Sequence, residues 1–324
     1  MFTTAQVFTT ADIESQHQRG PKPNDAGARS KPAPGLHLVA TPIGNAADIT
    51  LRALDTLAGA DVIACEDTRV TRKLATRYGI KTRLLSYHEH NAERVRPLLL
   101  ARLERGEAVA LVADAGTPLI SDPGYKLVRA CIAAGHGVTV VPGPSAPLAA
   151  LVVSGLPTDR FVFAGFLPGR AAARRKALAD LAAIDATLVF FESARRLPAA
   201  LADMAAVLGE REAAVARELT KLFEEVRRAP LGELAAHYRD EGPPKGEVVV
   251  VVGPPPPGAA REPVAQEALD AQIRRALETS SVRDAAAEVA AVTGLPRRRV
   301  YARAVELAQA RRGRKPRASG PGGR

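Results

Sequence analysis

Four times between residues 36 and 147 the chain repeats one unit: a short apolar run, a turn of polar or glycine residues, then an amphipathic stretch. LHLVA leads to TPIGN, ADVIAC to EDTR, AVALVA to DAGTP and GVTVV to PGPSA. Apolar runs of this length, alternating with helical patterns, predict βα units around a parallel sheet. This gives one α/β domain over about 36–147. A second series follows, RFVFAGF, ATLVFFES, AAVARELTK and GEVVVVVG, with stretches such as RRLPAALADMAAVLG between its runs. Apolar spacing of three and four residues in those stretches predicts helices, and so a second α/β domain over about 148–253.

The flanks read differently. Residues 1–35 are polar, rich in Pro, Gly and Lys and without period, which predicts a disordered extension. PPPPGAAREP, residues 254–263, reads as a stiff Pro-rich linker. Residues 264–310 form a helical module, in which SSVRDAAAEVAAVTGLPRRRVYARAVELAQA reads as two helices. The first is capped by Ser280 or Ser281 and closed at Gly294. Helix, glycine turn and Arg-rich helix make either a helix-turn-helix outline or a plain helical hairpin. Of the net charge of +10, the basic disordered tail RRGRKPRASGPGGR at 311–324 supplies six positive charges and no acid. It is either an electrostatic tether to phosphate backbones or a solubilising end.

Several classes are disfavoured. No apolar run approaches the roughly 20 residues of a membrane span, and MFTTAQVFTTADIESQHQRG lacks the pattern of a secretory signal, so the protein is expected to be soluble and cytoplasmic. Cys65 and Cys131, without CxxC spacing, argue against a disulfide framework or a zinc site and read as small core residues. The absence of GxGxxG and of GxxxxGK[ST] disfavours a nicotinamide dehydrogenase and a P-loop nucleotidase. HEH at 88–90 is weak evidence for a metal, and none is expected.

In open α/β sheets, ligands bind beyond the carboxyl ends of the strands. There LVADAGTPLISDPG closes a strand at Asp114 and turns at Gly116-Thr117-Pro118 with exposed backbone amides. The same pattern starts a helix at Asp122-Pro123, capped by Ser121 or Asp122 and ended by Gly135. Asp122 therefore reads as a cap. Asp114 has no such local role and suits the hydroxyls or amine of a nucleoside-like ligand. Without a lysine and with its acids, this loop is unsuited to a phosphate.

LVATPIGNAADITLRA, CEDTRVTRKL, VADAGTPLISDPG, VPGPSA, FFESARRL, ARELTK and KGE, in this order, resemble the bacterial 16S ribosomal RNA cytidine 2′-O-methyltransferases. These belong to the tetrapyrrole-methylase fold, the class III S-adenosylmethionine-dependent methyltransferases. The resemblance spans about 36–253 and implies two α/β domains with a cofactor cleft between them, a homodimer, and 16S ribosomal RNA or the small ribosomal subunit as partner. It implies that S-adenosyl-L-methionine is bound by Pro42, Asp114, Ala115, Gly116, Thr117, Ile120, Ser145, Ala146, Phe191 and Gly246. The chain departs from the small-molecule enzymes of the fold: their GDP turn appears as Gly116-Thr117-Pro118, one carboxylate fewer, and the first loop has one glycine where they have several.

A ribose 2′-hydroxyl is a poor nucleophile, so a general base would speed its methylation by roughly 10²- to 10⁴-fold. Strand-end candidates are Glu66, Asp67, Glu192 and Glu218, with Asp67 and Glu66 favoured. The alternative is that Glu66 or Glu218 pairs with Arg69 or Arg217 to hold the loops. Arg69, Arg72, Lys73, Arg195, Arg196 and Lys221 surround the expected cleft mouth and suit RNA phosphates. With aromatics at 4% and no Trp, recognition by backbone and shape is expected over base stacking. Two other readings stay open: a methyltransferase for a corrinoid or porphyrin precursor, and a non-catalytic RNA-binding or assembly protein.

Overall fold

A computed structural model describes residues 31–256, 266–293, 295 and 297–313 of the chain. Its first sheet contains β1 (Gly35–Val39), β2 (Val62–Cys65), β3 (Leu84–Ser86), β4 (Ala108–Val112) and β5 (Val138–Val141). The order is β3-β2-β4-β1-β5 and every pair is parallel. Helices α1 (Leu51–Gly59), α2 (Thr68–Arg77), α3 (Ala92–Glu104) and α4 (Tyr125–Ala133) make the crossovers. Successive strand residues point to opposite faces, and both faces are covered. Ile63 and Cys65 pack with Ala53, Leu57 and Ala75 of α1 and α2. Val62 and Ala64 pack with Leu99 of α3 and with Leu127 and Cys131 of α4. Both cysteines are free and fully buried, as expected. The edge strand β3 escaped the sequence pattern because it is three half-buried residues long.

The second unit runs α5 (Ala146–Ser154), β6 (Phe161–Phe166), α6 (Ala171–Ala182), β7 (Thr187–Ser193), α7 (Leu197–Leu208), β8 (Glu212–Arg217), β9 (Glu225–Pro230), α8 (Leu231–Asp240) and β10 (Glu247–Val252). Its sheet has the order β6-β7-β10-β8-β9, and only β6 and β7 are parallel. The unbroken valines of β10 reflect its central position, covered on both faces. Leucines of α6, α7 and α8 pack on one face. On the other lie Ala150 and Leu151 of α5 together with Ile43 from the loop after β1. The first-domain loop thus presses directly on the second sheet, and this contact sets the cleft. Helix α5 runs across position 147, where the sequence pattern changes from one series to the next.

Three helices follow, α9 (Gln266–Thr279), α10 (Val282–Thr293) and α11 (Arg297–Gly313), one more than the sequence pattern gave for this module. They share their own core, including Ile273, Ala285, Val289 and Val300. Ser281 caps α10, its Oγ accepting from the Asp284 amide at 3.2 Å. Helix α11 takes in Arg311–Gly313, the first residues of the expected tail. The extension up to residue 30, the linker from 257, Gly294 and the tail from 314 lie outside the described residues. No helix among the described residues is long and apolar enough to cross a membrane.

Candidate active site

The loops at the strand ends are tied to one another. Thr41 and Gly116 exchange backbone hydrogen bonds of 2.9 and 3.0 Å, joining the loops after β1 and β4. Asp114 Oδ1 accepts from the Asp67 amide at 3.0 Å, joining β4 to β2. Across the cleft the ELTK turn is strained: Glu218 and Thr220 are non-glycine residues at φ 50° and 65°. Glu218 accepts from the Glu247 amide at 2.9 Å and from Lys221 Nζ at 2.8 Å. A Cβ on Gly246 would lie 2.4 Å from Glu218 Cδ, and one on Gly44 would lie 2.5 Å from Lys221 Cγ. Glycine at 246 lets two loops of the second domain close on each other, and glycine at 44 lets the first-domain loop meet them, the Asn45 amide donating to Thr220 Oγ1 at 3.0 Å across that inter-domain contact.

Between the sheets lies a cavity of about 470 Å³. It brings together nine of the ten expected cofactor residues: Asp114, Ala115, Gly116, Thr117, Ile120, Ser145, Ala146, Phe191 and Gly246. The tenth, Pro42, lines a neighbouring cavity instead. Ile43, Ile120, Phe166, Phe191 and Leu219 supply apolar walls, and Phe191 is fixed edge-on against Phe163 with ring centroids 5.0 Å apart. The charged lining is Asp114, Asp122, Glu192 and Glu247, with no Lys, Arg or His. Glu192 is held by Arg196 at 3.2 Å and Glu247 by Lys221 at 3.0 Å. Such a chamber suits a ligand with a flat apolar part and a positive charge, and rejects phosphates.

Asp122 is not a helix cap. Helix α4 begins at Tyr125, three residues later, its N-cap position is Gly124, and no side chain caps it. The sequence pattern placed the helix too early because Leu119 and Ser121 take φ of 74° and 66°, which swings the chain through an extra turn. Asp122 is delivered to the cavity wall, where its carboxylate makes no hydrogen bond or ion pair with any described residue. Burial, then Glu66 and Asp114 nearby, push it up to about 6. Asp-Pro-Gly is a helix-start pattern, and only the backbone turn before it reveals the other role.

The candidate bases separate. Asp67 caps α2: its Oδ1 accepts from the Arg69 amide at 2.8 Å, and its carboxylate pairs with the Arg69 guanidinium at 2.6 Å. That guanidinium holds Asp67 down at about 2, which leaves a weak base. Glu66 is raised by burial and by Asp114, and it faces a third, open cavity of about 430 Å³ with Ser86, His88, His90 and Asp114. Asp114 therefore stands where this cavity meets the cofactor-sized one. Glu192 is enclosed and paired with Arg196. Glu218 pairs with Lys221, and Arg217 with Glu225, not the Glu66–Arg69 and Glu218–Arg217 partners the sequence offered.

The six expected cations separate too. Arg72, Lys73 and Arg195 are exposed and make no ion pair with a described residue. Arg69 is exposed but pairs with Asp67. Arg196 donates to the Leu167 carbonyl at 2.6 Å as well as bridging to Glu192, which makes it a strut of the second domain. Lys221 is committed to Glu218 and Glu247. No group of His, Cys, Asp and Glu among the described residues could hold a metal ion, so the HEH stretch forms no such site.

The two sheets and the chamber between them define the class. Residues 35–235 match the family of tetrapyrrole (corrin/porphyrin) methylases. Among solved structures the chain is similar to a cobalt precorrin-4 methyltransferase of cobalamin biosynthesis, with TM-score 0.52, 20% identity, 70% of this chain and 95% of that one. It is also similar to a diphthine synthase, with TM-score 0.53, 18% identity and 67% and 89% of the two chains. Residues 263–308 match a second family, the RsmI C-terminal HTH domain, in line with the helix-turn-helix outline. Curated relatives are closer: the ribosomal RNA small subunit methyltransferase I of Mesorhizobium japonicum is 54% identical over 85% of this chain and 92% of its own. That of Xylella fastidiosa is 47% identical over 82% and 97%. The chain belongs to the ribosomal RNA small subunit methyltransferase I family, a branch of the tetrapyrrole methylases.

Proposed function

We propose that the chain binds S-adenosyl-L-methionine in the acidic chamber and methylates the ribose 2′-hydroxyl of a cytidine in 16S ribosomal RNA of the small subunit. The observation that carries this reading is the chamber's lining of four carboxylates without a cation. The cofactor is a net cation with an apolar ring, so charge and shape agree with the residues present. The apolar walls around Phe191 would receive the ring, and Asp114 and Asp122 the positively charged end. Asp122 restores to this loop the carboxylate that Gly116-Thr117-Pro118 lacks. When bound, the cofactor supplies an electrophilic methyl group on a neutral leaving group.

The protein's remaining work is alignment and proton removal. Holding acceptor and donor in line supplies several kcal/mol of the barrier. Glu66 Oε accepts the hydroxyl proton, its raised basicity bringing it nearer to working pH than Asp67. Asp114 sits between Glu66 and the chamber and positions the Asp67 turn through its bond to that amide. The chain acts as a homodimer in the cytoplasm, where its ribosomal substrate is; exposed Val152, Leu222 and Phe223 are apolar surface for the dimer contact. The test is incubation with labelled S-adenosylmethionine and small subunits from cells lacking the modification. Label should appear as 2′-O-methylcytidine, and its absence from every small-subunit substrate would overturn the reading.

A further inference from the structure

The chamber has a neighbour of opposite character. A second cavity of about 490 Å³ shares Ile43, Asp114, Ala115 and Glu247 with it, so the two adjoin. One wall is the turn Thr41–Gly44 and the other is the face of α2 carrying Val70, Leu74, Lys73 and Arg77. Helix α2 holds Arg69, Arg72, Lys73 and Arg77 and no acidic residue. Arg69, Lys73 and Arg77 stand four residues apart, on one face, rising about 6 Å at each step. Like charges at that spacing repel; Asp67 compensates Arg69, and the Lys73–Arg77 pair costs helix stability unless an anion lies across it.

Lys73 and Arg77 are exposed and make no ion pair with a described residue. The third cation of the cavity, Lys221, is neutralised by Glu218 and Glu247. The free positive charge in this cavity is therefore concentrated on the α2 wall, and Asp114, a carboxylate without an ion pair to a described residue, lies on the side shared with the chamber. It opens beside the point where methyl donor and acceptor must meet.

We infer that Lys73 and Arg77 form a phosphodiester seat, which holds the backbone next to the target nucleotide while the ribose faces the chamber. This rests on the ribosomal RNA reading above and adds where the strand runs: along α2, past the Pro42–Gly44 turn. The acidic chamber repels phosphates and the basic groove repels the cationic cofactor, so the two ligands sort themselves by charge. Arg77 belongs to this set although the strand-end turns did not point to it.

The experiment measures binding of the full-length chain to small-subunit RNA and to a single-stranded oligoribonucleotide over a range of salt. Lys73→Gln, Arg77→Gln and the double variant are compared with Lys176→Gln, an exposed cation of α6 that lines none of these cavities. Each lost phosphate contact should lower the slope of log affinity against log salt by about 0.7. The double variant should thus lose about 1.4 while calorimetric affinity for S-adenosylmethionine stays at the wild-type value. Lys176→Gln should leave the slope unchanged. A double variant with wild-type slope and affinity would overturn the seat while leaving the function intact. A loss of slope equal to that of Lys176→Gln would overturn it too, by showing only a general charge effect. If the wild type itself bound no small-subunit RNA, the function proposed above would fall, and the seat with it.

Discussion

Replacing Asp122 by asparagine keeps the side chain's shape and removes its charge. The wild-type carboxylate titrates at about 6 in the cofactor-free chain. If a cationic cofactor requires the ionised form, affinity follows the ionised fraction, about 0.9 at pH 7 and 0.1 at pH 5, a fall of about tenfold. Between those limits binding should expel a proton. At pH 7 the substitution removes one charge-assisted interaction, worth about 1.5–3 kcal/mol, or about 10- to 150-fold in affinity. The effect on folding has the opposite sign. The folded value of about 6 lies above the ordinary 3.8, so the ionised group opposes folding above that window, and stability rises as pH falls through it. Asparagine carries no such penalty, and the cofactor-free variant should melt no lower than the wild type at pH 7–8. Calorimetric titration of both proteins between pH 5 and 8, in buffers of different ionisation enthalpy, measures affinity and proton release together. Equal affinities at pH 7 and a flat wild-type profile would refute the charge argument.

Glu66→Gln should lower turnover by about 10²- to 10⁴-fold with S-adenosylmethionine affinity unchanged, read by single-turnover kinetics at saturating cofactor. Asp67→Asn keeps a competent cap and should stay active, whereas Asp67→Ala should lower the melting temperature by exposing the first turn of α2. Gly246→Ala places a methyl against Glu218 at φ 96° and should cost about 1–3 kcal/mol in denaturant unfolding, with cofactor affinity falling as the ELTK turn shifts. Asp203→Ala leaves Arg174 buried without the carboxylate that Nε reaches at 2.7 Å, and should cost about 3–5 kcal/mol of stability without changing affinity for the cofactor at permissive temperature.

What the sequence made legible followed from periodicity and from strand ends. The buried strands announced themselves because both faces are covered, and the strand-end turn at Asp114–Pro118 together with the family resemblance then located nine residues of the chamber wall. The strands that went unseen are edges: β3 is too short to show a pattern, and β9, EVRRAP, carries two consecutive exposed arginines in place of an apolar run. The carboxylates beside turns were legible as residues but not as roles, for another cause. Asp122 fits a cap and Asp67 a base by sequence because a carboxylate beside a turn suits either role; the backbone aims Asp122 away from the helix start and makes Asp67 the cap of α2. At Asp122 that aim is set by two left-handed residues, Leu119 and Ser121, which nothing in their side chains demands. Charge was legible only as a sum. A chain of net +10 encloses a chamber without a single cation and sets a basic groove beside it. The separation arises because α2 collects four cations on a helix leaving one strand end, while the loop after β4 brings two carboxylates to the next. Adjacent parallel strands put those loops side by side, so the topology itself turns two compositional biases into two neighbouring sites of opposite charge.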